Sequence, residues 1–193
     1  YFSIEYLSEN ESKNFIMLKG YSSSFASYMI TLSWVGYAIG CPTIGLISDY
    51  LQRRKSVLIY CSVILSLSLI GIYLSPSQLI SSISFFCLGI GASGQSVGFA
   101  LIAENFKKQY LAVGLSLNNA MITTISAINA PCIGFLLESY KESVDLIATD
   151  YFIVFAILTA VSLISVFISI FCIKENFCKS KVELTQLNPS YNN

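Results

Sequence analysis

Histidine is absent from this chain and charge is scarce, and both absences narrow what it can be. Only 11% of the 193 residues are Asp, Glu, Lys or Arg, against roughly 25% in an ordinary soluble domain. With 54% apolar residues and a mean hydropathy of +0.67, a soluble globular domain and a disordered chain are both excluded. Eleven basic residues balance eleven acidic ones, so no net positive field recruits nucleic acid. The six cysteines (Cys41, Cys61, Cys87, Cys132, Cys172 and Cys178) contain no C-x-x-C pair. With no histidine to complete a zinc set, no metal site is expected. There is no G-x-S-x-G elbow and no carboxylate pair inside an apolar stretch, so no enzyme is expected. Gly89-Ile90-Gly91-Ala92-Ser93-Gly94 matches the dinucleotide spacing. It lies inside an apolar run rather than after a strand, so it reads as helix packing, and no cofactor is implied.

What is present is a pattern of gaps. Residues 20–48, 56–103, 109–137 and 151–173 carry no charge at all. A bilayer core about 30 Å thick takes roughly 20 apolar residues as a helix. Three gaps hold one span each, and the longest holds two, divided by the turn-forming Ser75-Pro76-Ser77-Gln78. The expected fold is therefore all-α, a polytopic transmembrane bundle of about five spans at 23–48, 55–75, 79–103, 109–137 and 151–173. Residues 1–22 are too charged to span and read as an outer segment with the tail of a preceding helix. Residues 174–193 read as a disordered cytoplasmic tail. Asn10-Glu11-Ser12 matches a glycosylation sequon and reads as a chance match.

Short cytoplasmic loops retain Lys and Arg. Arg53, Arg54, Lys55, Lys107, Lys108, Lys174, Lys179 and Lys181 fall on one side of a five-span chain, and Lys13, Lys19 and Lys141 on the other. Eight against three places the C-terminus in the cytoplasm and the N-terminal segment outside, in a cell (inner or plasma) membrane. The acidic connection with Glu138, Glu142, Asp145 and Asp150 then also faces outward.

The spans differ in kind. The first, third and fourth carry most of the glycines and the larger polar side chains, namely Trp34, Gln95, Asn118, Asn119 and Asn129. Small residues let membrane helices approach, so Gly36 with Gly40, Gly91, and Gly94 with Gly98 are expected at helix contacts. Buried amides seek protein or a wet cavity, so these three spans are expected to form an inner layer. Asn119, Thr123 and Ser126 share one face of the fourth span, with Asn118 and Asn129 on a neighbouring face. Interhelical hydrogen bonding and a solute-facing role are equally open for that stripe. The spans hold no Asp, Glu, Lys or Arg, so if protons are used the coupling carboxylate is expected in a part missing from this chain.

The first span ends Gly45-Leu46-Ile47-Ser48-Asp49-Tyr50-Leu51-Gln52-Arg53-Arg54-Lys55. This resembles the signature loop of the major facilitator superfamily, with Gly45, Asp49, Arg53, Arg54 and Lys55 in its pattern. Tyr50 stands where a basic residue is usual and Gln52 where a glycine is usual. Gly114-Leu115-Ser116-Leu117-Asn118-Asn119 with Pro131-Cys132-Ile133-Gly134 looks like the family's eleventh helix, and Gly40-Cys41-Pro42-Thr43-Ile44-Gly45 like its eighth.

The resemblance covers most of the chain and implies helices eight to twelve, a C-terminal portion lacking most of the half's first helix. It also implies Pro131 and Gly134 at helix packing, and alternating access in a full-length secondary transporter of a small polar solute. The lining candidates are Trp34, Gln95, Asn118, Asn119 and Thr123. The partners implied are a small-molecule solute, the lipid bilayer, and an N-terminal half supplied by the same or another chain. A non-transporting subunit, scaffold or solute sensor of the same fold is the alternative.

Overall fold

Where charge is absent the backbone closes its hydrogen bonds within helices, as a bilayer requires. The computed structural model describes residues 1–8, 12–106, 108–140, 147–175 and 177. Its helices are α1 (Phe2–Tyr6), α2 (Ser12–Leu18), α3 (Ser23–Leu51), α4 (Arg54–Leu74), α5 (Gln78–Ala92), α6 (Gly94–Asn105), α7 (Leu111–Tyr140) and α8 (Phe152–Phe171). A single 3-10 turn, Lys108–Tyr110, precedes α7. Among the described residues five helical stretches are long and apolar enough to cross a membrane, with α5 and α6 together forming the third. The fold is an all-α polytopic bundle of five spans. Asn10 and Glu11 of the sequon, Lys107, the loop charges Lys141, Glu142 and Asp145, Cys178, and residues 178–193 of the expected tail lie outside the described residues.

Local chemistry sets the helix ends. The Ser22 hydroxyl accepts the Phe25 amide at 3.2 Å and caps α3. That helix runs past the expected end at residue 48, through Asp49 to Leu51. Gln52 then turns left-handed at φ 51°, and the Arg53 amide reaches back to the Ser48 carbonyl at 3.3 Å. This is the six-to-one closure that usually takes glycine. The third span is interrupted at Ser93, between α5 and α6. Glycine has weak helix propensity, and the Ser93 hydroxyl takes the Ile90 carbonyl at 2.6 Å, a side-chain bond that loosens helices.

Packing follows the small residues. A Cβ on Gly36 or Gly89 would overlap the Phe86 or Ser33 carbonyl oxygen, so α3 and α5 meet backbone to backbone. A Cβ on Gly40 would lie 2.5 Å from the Ser93 hydroxyl oxygen. On the other side of the third span, Cβ atoms on Gly91 and Gly94 would come within 2.8 Å of Leu65 and Cys61 of α4. Gly45, Gly98 and Gly134 have nothing within 4 Å of a built Cβ. Helix α4 joins α8 through serine hydroxyls, Ser66 to Ser162 at 2.8 Å and Ser62 to Ser165 at 3.2 Å.

The second span, α4, is packed on both sides, against α5 and α8, while α7 is only 12% buried across its apolar window. Backbone-close glycines and paired serines hold α4 in place. Helices α1 and α2 both contribute buried residues to the core. Ile4, Phe15 and Ile16 are buried with Leu69, Leu88 and Phe155 in one cluster.

Candidate functional site

A cavity of about 480 Å³ opens among α1, α4, the third span, α7 and α8, within the size range of small-ligand sites. Its polar atoms converge from several elements: the Gln95 amide of α6, Asn118 and Asn129 of α7, and Ser162 and Ser165 of α8. The remaining wall is apolar, including Phe2, Leu65 and Ile125. Apolar walls with a few placed dipoles suit a compact neutral polar ligand better than a bare ion.

The five lining candidates separate. Gln95 and Asn118 line the cavity. Trp34 stands behind it, its ring centre 6.4 Å from Tyr1 and 5.8 Å from Tyr37. Tyr37 in turn donates to Gln95 Oε1 at 3.0 Å. The lining amide is thus held by a phenol of α3, and Tyr1 places a third ring 5.7 Å from Tyr37. Asn119 and Thr123 lie on an exposed face of α7, outside the lining, where the Thr123 hydroxyl donates back to the Asn119 carbonyl at 3.1 Å. Asn129 lines the cavity while its Nδ2 donates to the Ile125 carbonyl at 2.8 Å.

At the opposite end, the α3–α4 connection is a charge network. Arg54 Nη1 lies 2.6 Å from Asp49 and donates to the Ser48 hydroxyl at 3.0 Å. Its Nη2 and Nε both donate to Glu104 Oε1, at 2.8 and 3.0 Å. Glu175, just past α8, accepts the backbone amides of Arg54 and Lys55 on its two oxygens at 2.9 and 3.1 Å. A carboxylate there satisfies orphan donors at the positive end of α4. Glu104 and Glu175 were not among the expected site residues. Their only sequence signal is position: Glu104 is the first charge after a long charge-free stretch, and Glu175 follows Lys174 just past another.

The charge-free stretches hold no carboxylate, but a part-buried contact brings one from α1 against a span. Ser126, midway along α7, donates to Glu5 Oε2 at 2.5 Å. The charge count missed Glu5 because α1 is too short to register as a span, although Ile4 and Tyr6 beside it are buried.

Among the described residues no cluster of three or more metal-ligating side chains occurs. Comparison with curated proteins and with solved structures returned no significant match. A family model described as Major Facilitator Superfamily matches residues 9–183, nearly the whole chain. Members of that family are transporters rather than enzymes. With five apolar spans around a polar-dotted cavity, the chain is an integral multi-pass membrane protein and belongs to the Major Facilitator Superfamily.

Proposed function

We propose that this chain forms part of a secondary transporter that moves a small, neutral polar solute by alternating access, with Gln95 and Asn118 among the groups the solute meets. The observation that carries this reading is the convergence of amides from α6 and α7 on one cavity among apolar walls. Dipoles of this kind hydrogen-bond sugars, amino-acid derivatives and similar solutes without the desolvation cost of a buried charge. The exposed polar face of α7, with Asn119 and Thr123, is assigned to a second helix bundle from the same or another chain. Transporters of this kind place substrate between two such bundles near the midplane.

The excess of Lys and Arg orients the Arg54 network and the C-terminus toward the cytoplasm of a plasma or inner membrane. In that orientation Asp49, Arg54, Glu104 and Glu175 form a cytoplasmic latch between α3, α4, α6 and the segment after α8.

The test is uptake of a panel of labelled neutral solutes into membrane vesicles from cells that express the protein. Uptake above that of empty-vector vesicles, reduced at least about tenfold by Asn118→Ala, is the expected result; a lost contact of about 1.4 kcal/mol corresponds to that factor. Solute binding without flux, for every solute in the panel, would favour the non-transporting sensor or scaffold instead.

A further inference from the structure

Helices α4 and α8 are not joined evenly along their length. Toward the Arg54 end they meet through small hydroxyls, Ser62 with Ser165 and Ser66 with Ser162. Toward the other end aromatic rings stand between them: the Tyr73 ring centre lies 5.6 Å from that of Phe155 and 5.8 Å from that of Phe152. Between these two stretches α8 carries Ala156, Thr159 and Ala160, side chains too short to fill the space that the rings hold open. The result is a second cavity, a groove of about 350 Å³. Its floor includes the buried Leu69 and Phe155, and its rim the exposed Leu74, Phe152 and Leu163.

The groove opens onto the surface that faces lipid. Both of its walls are membrane spans, and its rim runs on into the exposed apolar side chains of Leu67 and Ile164. From Phe152 to Leu163 along α8 is about 16 Å at helical rise, close to the hydrocarbon depth of one leaflet in a core about 30 Å thick. A lipid chain entering at the Leu74 end lies along the groove for that whole depth.

The same end carries a positive charge. Lys19 sets its ammonium on the carbonyls of Ile72, Tyr73 and Ser75, in the turn that bears the groove residues Tyr73 and Leu74. A helix C-terminus presents about half a negative charge, so the ammonium leaves a positive surplus there. Among the described residues no carboxylate pairs with it. Asp150, just before α8, is turned to the Ile147 amide at 2.9 Å. A lipid phosphate complements that surplus.

We propose that the α4–α8 groove is a phospholipid site, which takes one acyl chain of an anionic lipid along its floor and the phosphate beside Lys19. The chain supplies the apolar contacts that Ala156, Thr159 and Ala160 leave unmade, and the ammonium sets the preference for an anionic headgroup. The groove shares no lining residue with the cavity bearing Gln95 and Asn118, so the site depends on no solute and no flux.

The experiment uses the purified full chain in phosphatidylcholine vesicles, titrated with brominated-chain phosphatidylglycerol or with brominated-chain phosphatidylcholine. Bromine quenches tryptophan on contact. Trp34, the one tryptophan in the sequence, is replaced by Phe, and single reporters are placed at Phe152→Trp on the groove rim and at Ile164→Trp on the open face. Brominated phosphatidylglycerol should half-quench Phe152→Trp at a mole fraction about fivefold lower than Ile164→Trp, the preference one lysine gives an anionic lipid. Brominated phosphatidylcholine should show no such separation. Ala160→Phe, which fills the groove from an exposed position, and Lys19→Gln should each bring the two reporters together. Should Lys19→Gln fail to fold, Ala160→Phe decides alone. Equal quenching of both reporters by phosphatidylglycerol, an equal preference for phosphatidylcholine, or a separation that survives Ala160→Phe overturns the proposal.

Discussion

Arg54 gives two of its donors, Nη2 and Nε, to a single oxygen of Glu104, at 2.8 and 3.0 Å, while Asp49 takes the third at 2.6 Å. The two carboxylates are not equivalent. The Glu104 side chain is 13% exposed and that of Asp49 62%. Breaking a buried pair strands a charge and costs about 3 kcal/mol, whereas a surface pair contributes under about 1 kcal/mol. Glu104→Ala should therefore lower thermal stability strongly and Asp49→Ala only slightly. Melting of the purified variants decides; equal losses would contradict the assignment.

Glu175 acts on backbone rather than on side chains. Its two oxygens hold the Arg54 and Lys55 amides at the start of α4, where the N-cap residue Arg53 offers no side-chain bond. Removing such a cap costs about 1 kcal/mol. In Glu175→Ala, hydrogen exchange at Arg54 and Lys55 should accelerate roughly fivefold, the factor that about 1 kcal/mol implies. Unchanged exchange at both amides would show that the cap contributes nothing.

Gln52 closes α3 in a left-handed conformation at φ 51°. Residues with a Cβ are strained there by roughly 1 kcal/mol, and glycine is not. Gln52→Gly should stabilise the protein by about that amount, read as a higher melting temperature. The family signature usually carries glycine at this position, and the backbone supplies the physical reason.

Lys19 caps the other end of α4. Its ammonium donates to the Ile72 and Ser75 carbonyls at 3.0 and 3.3 Å and to that of Tyr73, and lies 4.8 Å from the Phe15 ring centre. Burial lowers its pKa below the usual 10.5. The unfolded chain then binds the proton more tightly, so stability rises with pH between the folded and unfolded values and is level below them. Lys19→Met should abolish that alkaline rise, and should lower stability at neutral pH by about 1–3 kcal/mol because carbonyls lose their donor. Melting curves across alkaline pH check both.

The five spans were readable because three fill a charge-free stretch each and two share the longest, divided at Ser75-Pro76-Ser77. The packing order was not. Glycine content pointed to the third span, and Gly36, Gly89, Gly91 and Gly94 do meet neighbours there. It did not single out α4, which Gly91 and Gly94 contact from the third span and which Ser66 joins to Ser162 of α8. The depth of α1 was hidden too. Five residues carry too little periodicity to reveal that Ile4 and Tyr6 are buried or that Glu5 meets Ser126. Gln95 and Asn118 were visible as polar exceptions in apolar helices; their Tyr37 and Tyr1 neighbours come from elements far apart in sequence.

The proposed solute path runs through the cavity bearing Gln95 and Asn118, which must then be wet. Single cysteines at these two positions and at Phe167, on a background without native cysteines (Cys61 also lines the cavity), test it directly by labelling with a water-soluble, membrane-impermeant thiol reagent. Phe167 is 60% exposed on apolar α8 and should face lipid. Gln95→Cys and Asn118→Cys should be modified rapidly and Phe167→Cys not at all. If both cavity cysteines prove as unreactive as the lipid-facing one, the path does not run through this cavity.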